Sequence, residues 1–174
     1  MELRDSGITD NKILSAIEVI PRELFIPESF HDQSYENMAL PIGNGQTISQ
    51  PIIVALMTQN LNLNKRHKVL ELGTGSGYQT AILSKLSRRV YSIERIKLLL
   101  LKAENIFSKL HINNIVTKVG DGNKGWIEQK PFDRIIITAA TKTLSFEIIN
   151  QLKNDGIIIA PMIQNNNKQI LKKY

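Results

Sequence analysis

The residues best placed to do chemistry gather in the stretch Lys68-Val-Leu-Glu-Leu-Gly-Thr-Gly-Ser-Gly-Tyr78. Gly73, Gly75 and Gly77 alternate there with the hydroxyl residues Thr74 and Ser76. The apolar run Val69 to Leu72 leads in as a buried parallel strand, and Ala81, Ile82, Leu83 and Leu86 lead out at helical spacing. A glycine turn between strand and helix lets a ligand reach the backbone without meeting a Cβ. The next apolar strand, Val90 to Ile93, ends in Glu94. A carboxylate at that tip is placed to hold the two hydroxyls of a ribose, so the unit suits an adenosine-bearing cofactor. A dinucleotide site uses G-x-G-x-x-G, whereas this chain has G-x-G-x-G with Glu71 just before it. A carboxylate at Glu71 would repel a pyrophosphate but suits an ammonium and a sulfonium, the charges of S-adenosylmethionine. A glycine turn without a ligand is the alternative, and the two carboxylates weigh against it.

A second stretch, Leu40 to Pro51, crowds Gln46, Thr47, Ser49 and Gln50 just ahead of Pro51. Proline suits the first turn of a helix, here one with Ile53, Leu56, Met57 and Leu61 apolar. Polar side chains, and N–H groups from Gln50 to Ile52, are thereby delivered to a helix N-terminus where an anion can bind. The other reading is an ordinary loop in which Ser49 or Gln50 merely caps, and the spacing does not separate the two. Further along, Asp121 stands between Gly120 and Gly122 after the strand Ile115 to Val119. It could accept from an adenine amino group, or serve as a β-turn aspartate. Thr138 ends the strand Ile135–Thr138, and Trp126 reads as a packing lid.

The elements that must position these groups alternate strand and helix. Thr9 or Asp10 caps a first helix with Ile13, Leu14, Ile17 and Ile20 apolar, stopped by Pro21. Arg22 to Pro27 reads as a short apolar turn, Asp32 to Ala39 as irregular chain, and His31 as an exposed loop residue. Helices are predicted over 78–86, 96–110 and 144–152, the last stopped by Gly156. A fifth strand is predicted over 157–160, ending at Pro161, then a turn at 165–167 and a strand from Gln169 to the end. This pattern predicts an α/β fold: a doubly wound, mostly parallel, Rossmann-like sheet with N-terminal helices. One domain is expected, with residues 1–62 a helical and loop region carrying the acceptor motif and 63–174 the cofactor-binding core. Glu71, Gly73, Glu94, Asp121 and Thr138 all fall at carboxyl ends of strands, the ligand edge of such a sheet.

Composition narrows the function. The chain has 174 residues, 42% hydrophobic, with no apolar run of membrane-spanning length and no charged-then-apolar leader. Cysteine is absent, which excludes disulfides, thiolate metal sites and a cysteine nucleophile, and no metal site is expected. A cytoplasmic, monomeric protein away from membranes is the simple inference. The net charge of +6 raises nucleic acid as a partner, but the lysines are scattered and lack interleaved aromatics, so a solvated surface fits better.

With these motifs in place, the sequence resembles the protein-L-isoaspartate O-methyltransferase family. The resemblance is carried by Pro21-Arg-Glu-Leu-Phe-Ile-Pro27, Leu40 to Pro51, Val69 to Gln79, Val90 to Arg95, Gly120 to Trp126, Phe132-Asp133 and Thr138-Ala-Ala140. It implies methylation, by S-adenosylmethionine, of the free α-carboxylate of L-isoaspartyl residues in damaged proteins. The ester then closes to a succinimide that can reopen to normal aspartate. It implies Ser49 as the active-site serine. Gln46, Thr47 and Ile48 line the same pocket and count with Glu71, Gly73, Thr74, Gly75, Ser76, Gly77, Glu94, Asp121, Gly122 and Thr138 as cofactor-binding residues. An isoaspartyl carboxylate is ionised at neutral pH and needs no general base. Family members begin with a longer first helix and continue past Tyr174 with a last strand and tail. A shortened member that binds cofactor better than it turns over is therefore expected, with a S-adenosylmethionine-binding remnant as the alternative. A nucleic-acid methyltransferase is a weaker alternative, since Thr138-Ala-Ala-Thr141 stands where base-amine enzymes carry an Asn/Asp-Pro-Pro-aromatic motif.

Overall fold

The computed structural model describes residues 3–165 and 168–174. Helix α1 (Asn11–Val19) starts at Asp10, whose carboxylate accepts from the Lys12 N–H at 2.8 Å. Two short 3-10 turns follow, and then a hairpin of β1 (Leu40–Gly43) and β2 (Gln46–Ile48). Its two-residue turn is Asn44-Gly45, both at positive φ, as a type I′ hairpin requires. Helix α2 (Pro51–Leu61) has proline at its start, as expected. Then come β3 (Lys68–Leu72), α3 (Tyr78–Leu86), β4 (Arg89–Glu94), α4 (Lys97–Lys109), β5 (Ile115–Val119), β6 (Phe132–Ile137), α5 (Phe146–Ile149), β7 (Leu152–Ile163) and β8 (Gln169–Lys173).

The six-stranded sheet has the order β5-β4-β3-β6-β7-β8. All neighbours pair in parallel except β7 with β8. The chain runs outward from β3 to β5, then crosses to β6 and runs the other way. That reversal places the ligand crevice between the carboxyl ends of β3 and β6. Successive strand residues bury opposite faces. Val69, Val90, Ile136 and Ile159 pack with Met57, Leu61 and Leu83, while Leu70, Tyr91, Ile135 and Ile158 pack with Phe132 and Ile148. Strands buried on both faces read as unbroken apolar runs. Trp126 packs edge-on against Tyr91 at 5.5 Å.

Three expectations change. The helix predicted over 144–152 is reduced to Phe146–Ile149, with Phe146 73% exposed. Gly156 stops no helix: it lies within β7, which runs on through Pro161 to Ile163. Phe132 pairs with Leu152 and Arg134 with Ile157, so Lys153 to Gly156 bulge opposite Asp133. Asn165 sits in a turn, while the rest of the predicted 165–167 turn lies outside the described residues.

Candidate active site

The crevice begins where β3 gives way to the glycine turn. Gly73 takes φ +102° and donates its N–H to Ile93 O at 2.9 Å. Across the switch point, the Thr138 N–H donates to Leu72 O at 3.0 Å. The Thr138 hydroxyl reaches Gly73 O at 2.5 Å and Leu72 O at 3.0 Å. The ends of β3 and β6 are thus fastened to each other beside the turn.

Glu94, 6% exposed, is oriented by backbone donors. Its Oε2 accepts from the Gly75 N–H at 2.8 Å and its Oε1 from the Ile96 N–H at 2.9 Å. A carboxylate offers about four acceptor sites, so each oxygen can still take a hydroxyl proton. Two cavities meet at this side chain. One, of about 550 Å³, is bordered by Gln46 to Gln50, Gly73 to Ser76 and Thr138. The other, of about 400 Å³, is bordered by Asp121, Gly122, Arg95 and Ser145. Gln46, Gly73 and Glu94 belong to both. At Gly75 an added Cβ would meet only Ile42 Cδ1, at 3.7 Å, so the backbone there is open to a ligand. An S-adenosylmethionine molecule fits this arrangement: ribose acceptors at Glu94, open backbone at Gly75, and lobes on either side. Asp121 serves the turn, its Oδ1 accepting from the Asn123 N–H at 3.0 Å, and the residue also borders the smaller lobe.

Two expected contacts are placed elsewhere. Glu71 is fully buried and borders neither cavity. The hydroxyls of Thr80 and Ser92 donate to its Oε2 at 2.5 and 2.6 Å, and Oε1 has no partner among the described residues. Burial pushes its carboxyl up to about 8, against the pull of the two hydroxyls. The Thr74 hydroxyl joins this network, 2.6 Å from Ser92 Oγ. Glu71 thus supports the turn from beneath instead of facing a ligand. Gly77 also borders neither cavity; a Cβ there would come within 2.7 Å of the Phe107 ring. Its role is close packing of α3 on α4.

At the acceptor corner, Ser49 borders the larger cavity and its hydroxyl has no hydrogen-bond partner among the described residues. Neither Ser49 nor Gln50 caps α2 with its side chain, which removes the capping reading. The expected anion-holding row of N–H groups is also corrected. Pro51 has no N–H, and the Ile52 N–H is taken by Asn37 Oδ1 at 3.3 Å.

Two further residues belong to this corner. Arg22 donates from Nη2 to Ser49 O at 2.9 Å, and Gln169 of β8 borders the larger cavity. Local pattern carries no signal for either, because their partners are remote in sequence. The hairpin that presents Gln46 to Ile48 did carry one, the dipeptide Asn44-Gly45.

A doubly wound sheet, a G-x-G-x-G turn at its switch point and a carboxylate at the next strand tip define a Rossmann-like S-adenosylmethionine-dependent methyltransferase. Residues 1–174 match the family model of protein-L-isoaspartate(D-aspartate) O-methyltransferase, and the chain belongs to that family. A protein-L-isoaspartate O-methyltransferase of Maricaulis maris is 55% identical over 174 residues, covering 100% of this chain and 81% of the relative. One from Caulobacter vibrioides is 54% identical over 172 residues, covering 99% of this chain and 77% of the relative. A solved protein-L-isoaspartate O-methyltransferase superposes with a TM-score of 0.90 at 30% identity, covering 99% of this chain but 57% of that longer one. A candidate member from Plasmodium falciparum, solved in complex with S-adenosyl-L-homocysteine, gives a TM-score of 0.85 at 24% identity, covering 99% and 85%.

Proposed function

We propose that this chain transfers a methyl group from S-adenosylmethionine to the free α-carboxylate of L-isoaspartyl residues in damaged proteins, with Ser49 orienting the acceptor. One observation carries this reading: the unpaired Ser49 hydroxyl and the oriented Glu94 carboxylate border a single cavity. Glu94 would hold the ribose hydroxyls, the backbone at Gly73 to Ser76 would lie against the cofactor, and Asp121 would face the adenine. When bound, the cofactor supplies a methyl group on a positively charged sulfur. The acceptor carboxylate, with an ordinary value of about 4, is already ionised at neutral pH. No side chain has to remove a proton, and the residues contribute by positioning. Ser49 donates to one acceptor oxygen and is not itself a nucleophile. The names of the relatives support the substrate, and family membership supports the cofactor. A monomer in the cytoplasm that does not bind nucleic acid completes the proposal. It fits a cysteine-free chain in which, among the described residues, no helix is long and apolar enough to cross a membrane.

Ser49→Ala tests the assignment. S-adenosylhomocysteine affinity should stay within about twofold, while methylation of an isoaspartyl peptide falls at least about tenfold. Parent-level turnover would remove Ser49 from the acceptor site.

A further inference from the structure

Among the described residues, Arg22 is the largest fully buried side chain and carries a charge, yet no carboxylate pairs with it. It sits on the 3-10 turn Arg22–Phe25. Its Nη1 donates to Ser34 O at 2.8 Å, and its Nη2 to Ser49 O at 2.9 Å and Met38 O at 3.3 Å. The guanidinium carbon lies 5.7 Å from the ring centroid of Tyr78, the first residue of α3. Burying a cation is costly unless it is well bonded. Here three carbonyl dipoles and a ring face supply part of the compensation, while Nε has no partner among the described residues. An apolar side chain could fill the same space without that cost. What it could not do is join three carbonyls that lie 12 to 27 residues downstream.

The bonded groups explain the choice. The carbonyls of Ser34, Met38 and Ser49 belong to the segment that contains the β1–β2 hairpin and ends at the acceptor corner. The rigid planar fork of an arginine fixes their separations, as a flexible ammonium would not. Tyr78 borders the larger cavity directly after the glycine turn, so the same guanidinium touches both the acceptor segment and the helix that follows the cofactor turn. A second tether, from the Ile52 N–H to Asn37 Oδ1, holds the far side of the corner.

We propose that Arg22 is a positioning residue for methyl transfer: its buried guanidinium sets where Ser49 stands relative to the cofactor turn. This rests on the assignment of Ser49 to the acceptor. A displacement of about 1 Å at a reacting group can cost roughly a hundredfold in rate.

A double-mutant cycle between Arg22→Lys and Ser49→Ala, read as kcat/KM on an isoaspartyl peptide, separates positioning from general stability. Arg22→Lys in the parent should lower kcat/KM by about tenfold to a hundredfold, while S-adenosylhomocysteine affinity stays within about twofold. In the Ser49→Ala background the same change should cost less than about threefold, because residues acting through one another are not additive. Full cost in both backgrounds would overturn the proposal while leaving the Ser49 assignment standing. So would an Arg22→Lys chain that fails to fold or loses cofactor affinity in step with turnover. Parent-like activity of Ser49→Ala alone would overturn the acceptor assignment and the Arg22 proposal with it.

Discussion

The hydroxyl oxygen of Thr138 stands too close to Gly73 for a Cβ on that residue to clear it. Gly73 also holds φ +102°, which side chains rarely adopt. A side chain at this position is therefore opposed both by conformation and by a neighbour just past β6, the strand across the switch point. Gly73→Ala should lower the free energy of unfolding by about 1–3 kcal/mol for the backbone alone, with more for the overlap. In a Thr138→Ala background, which has already lost the hydroxyl bonds to Leu72 O and Gly73 O, Gly73→Ala should cost only the backbone part. Urea unfolding of the single and double variants measures both parts. A Gly73→Ala chain as stable as the parent would show that the turn is looser than this contact requires.

Glu94 serves two partners at once. Its oxygens hold the N–H groups of Gly75 and Ile96, and the remaining acceptor capacity faces the junction of the two cavities. Glu94→Ala should orphan both donors and weaken S-adenosylhomocysteine binding by at least about 1.5–3 kcal/mol, the worth of one charged hydrogen bond. Glu94→Gln keeps the shape but turns one acceptor into a donor facing an N–H, so it should rescue little. Calorimetric titration decides; unchanged affinity in either variant would take Glu94 out of the cofactor site.

The buried carboxyl of Glu71 makes stability depend on pH. Desolvation raises it from 4.5 to about 8, with the Thr80 and Ser92 hydroxyls opposing and the Glu94 charge adding. Between those values the folded chain holds a proton that the unfolded chain has lost. The stabilising contribution is therefore fully present below about pH 4.5 and is lost as pH rises through about 8. The loss should be on the order of a few kcal/mol and flatten above that range. Glu71→Gln cannot ionise and should remove this slope. Chemical denaturation from pH 5 to 9, parent against variant, is the measurement. Parallel curves would mean that Glu71 is ionised in the folded chain throughout.

Much of this site could be read from the sequence because its signals are local. Glycine alternation marks the turn, an acidic residue closes the next apolar strand as Glu94, and proline opens α2 at Pro51. What stayed hidden depends on distant partners. The bulge at Lys153 to Gly156 exists because β7 must rejoin β6 in register, which no local pattern reveals. Arg22 lies in an apolar segment between prolines, and its task is visible only once Ser49 O is seen 2.9 Å away. Glu71 misled for the same reason. A carboxylate beside a glycine turn suggests a ligand, but Thr80 and Ser92 claim it from below. The β1–β2 hairpin does have a local signal, the dipeptide Asn44-Gly45.

If the cavity bordered by Ser49 and Glu94 selects an isoaspartyl carboxylate for methylation, the corresponding aspartyl side chain must be refused. The direct measurement supplies labelled S-adenosylmethionine with two peptides of one sequence, differing only in isoaspartate against aspartate at a single position. Base-labile methyl ester should form on the isoaspartyl peptide, with none above background on its aspartyl twin. Equal labelling of both peptides, or labelling of neither by a folded chain that binds S-adenosylhomocysteine, would contradict it.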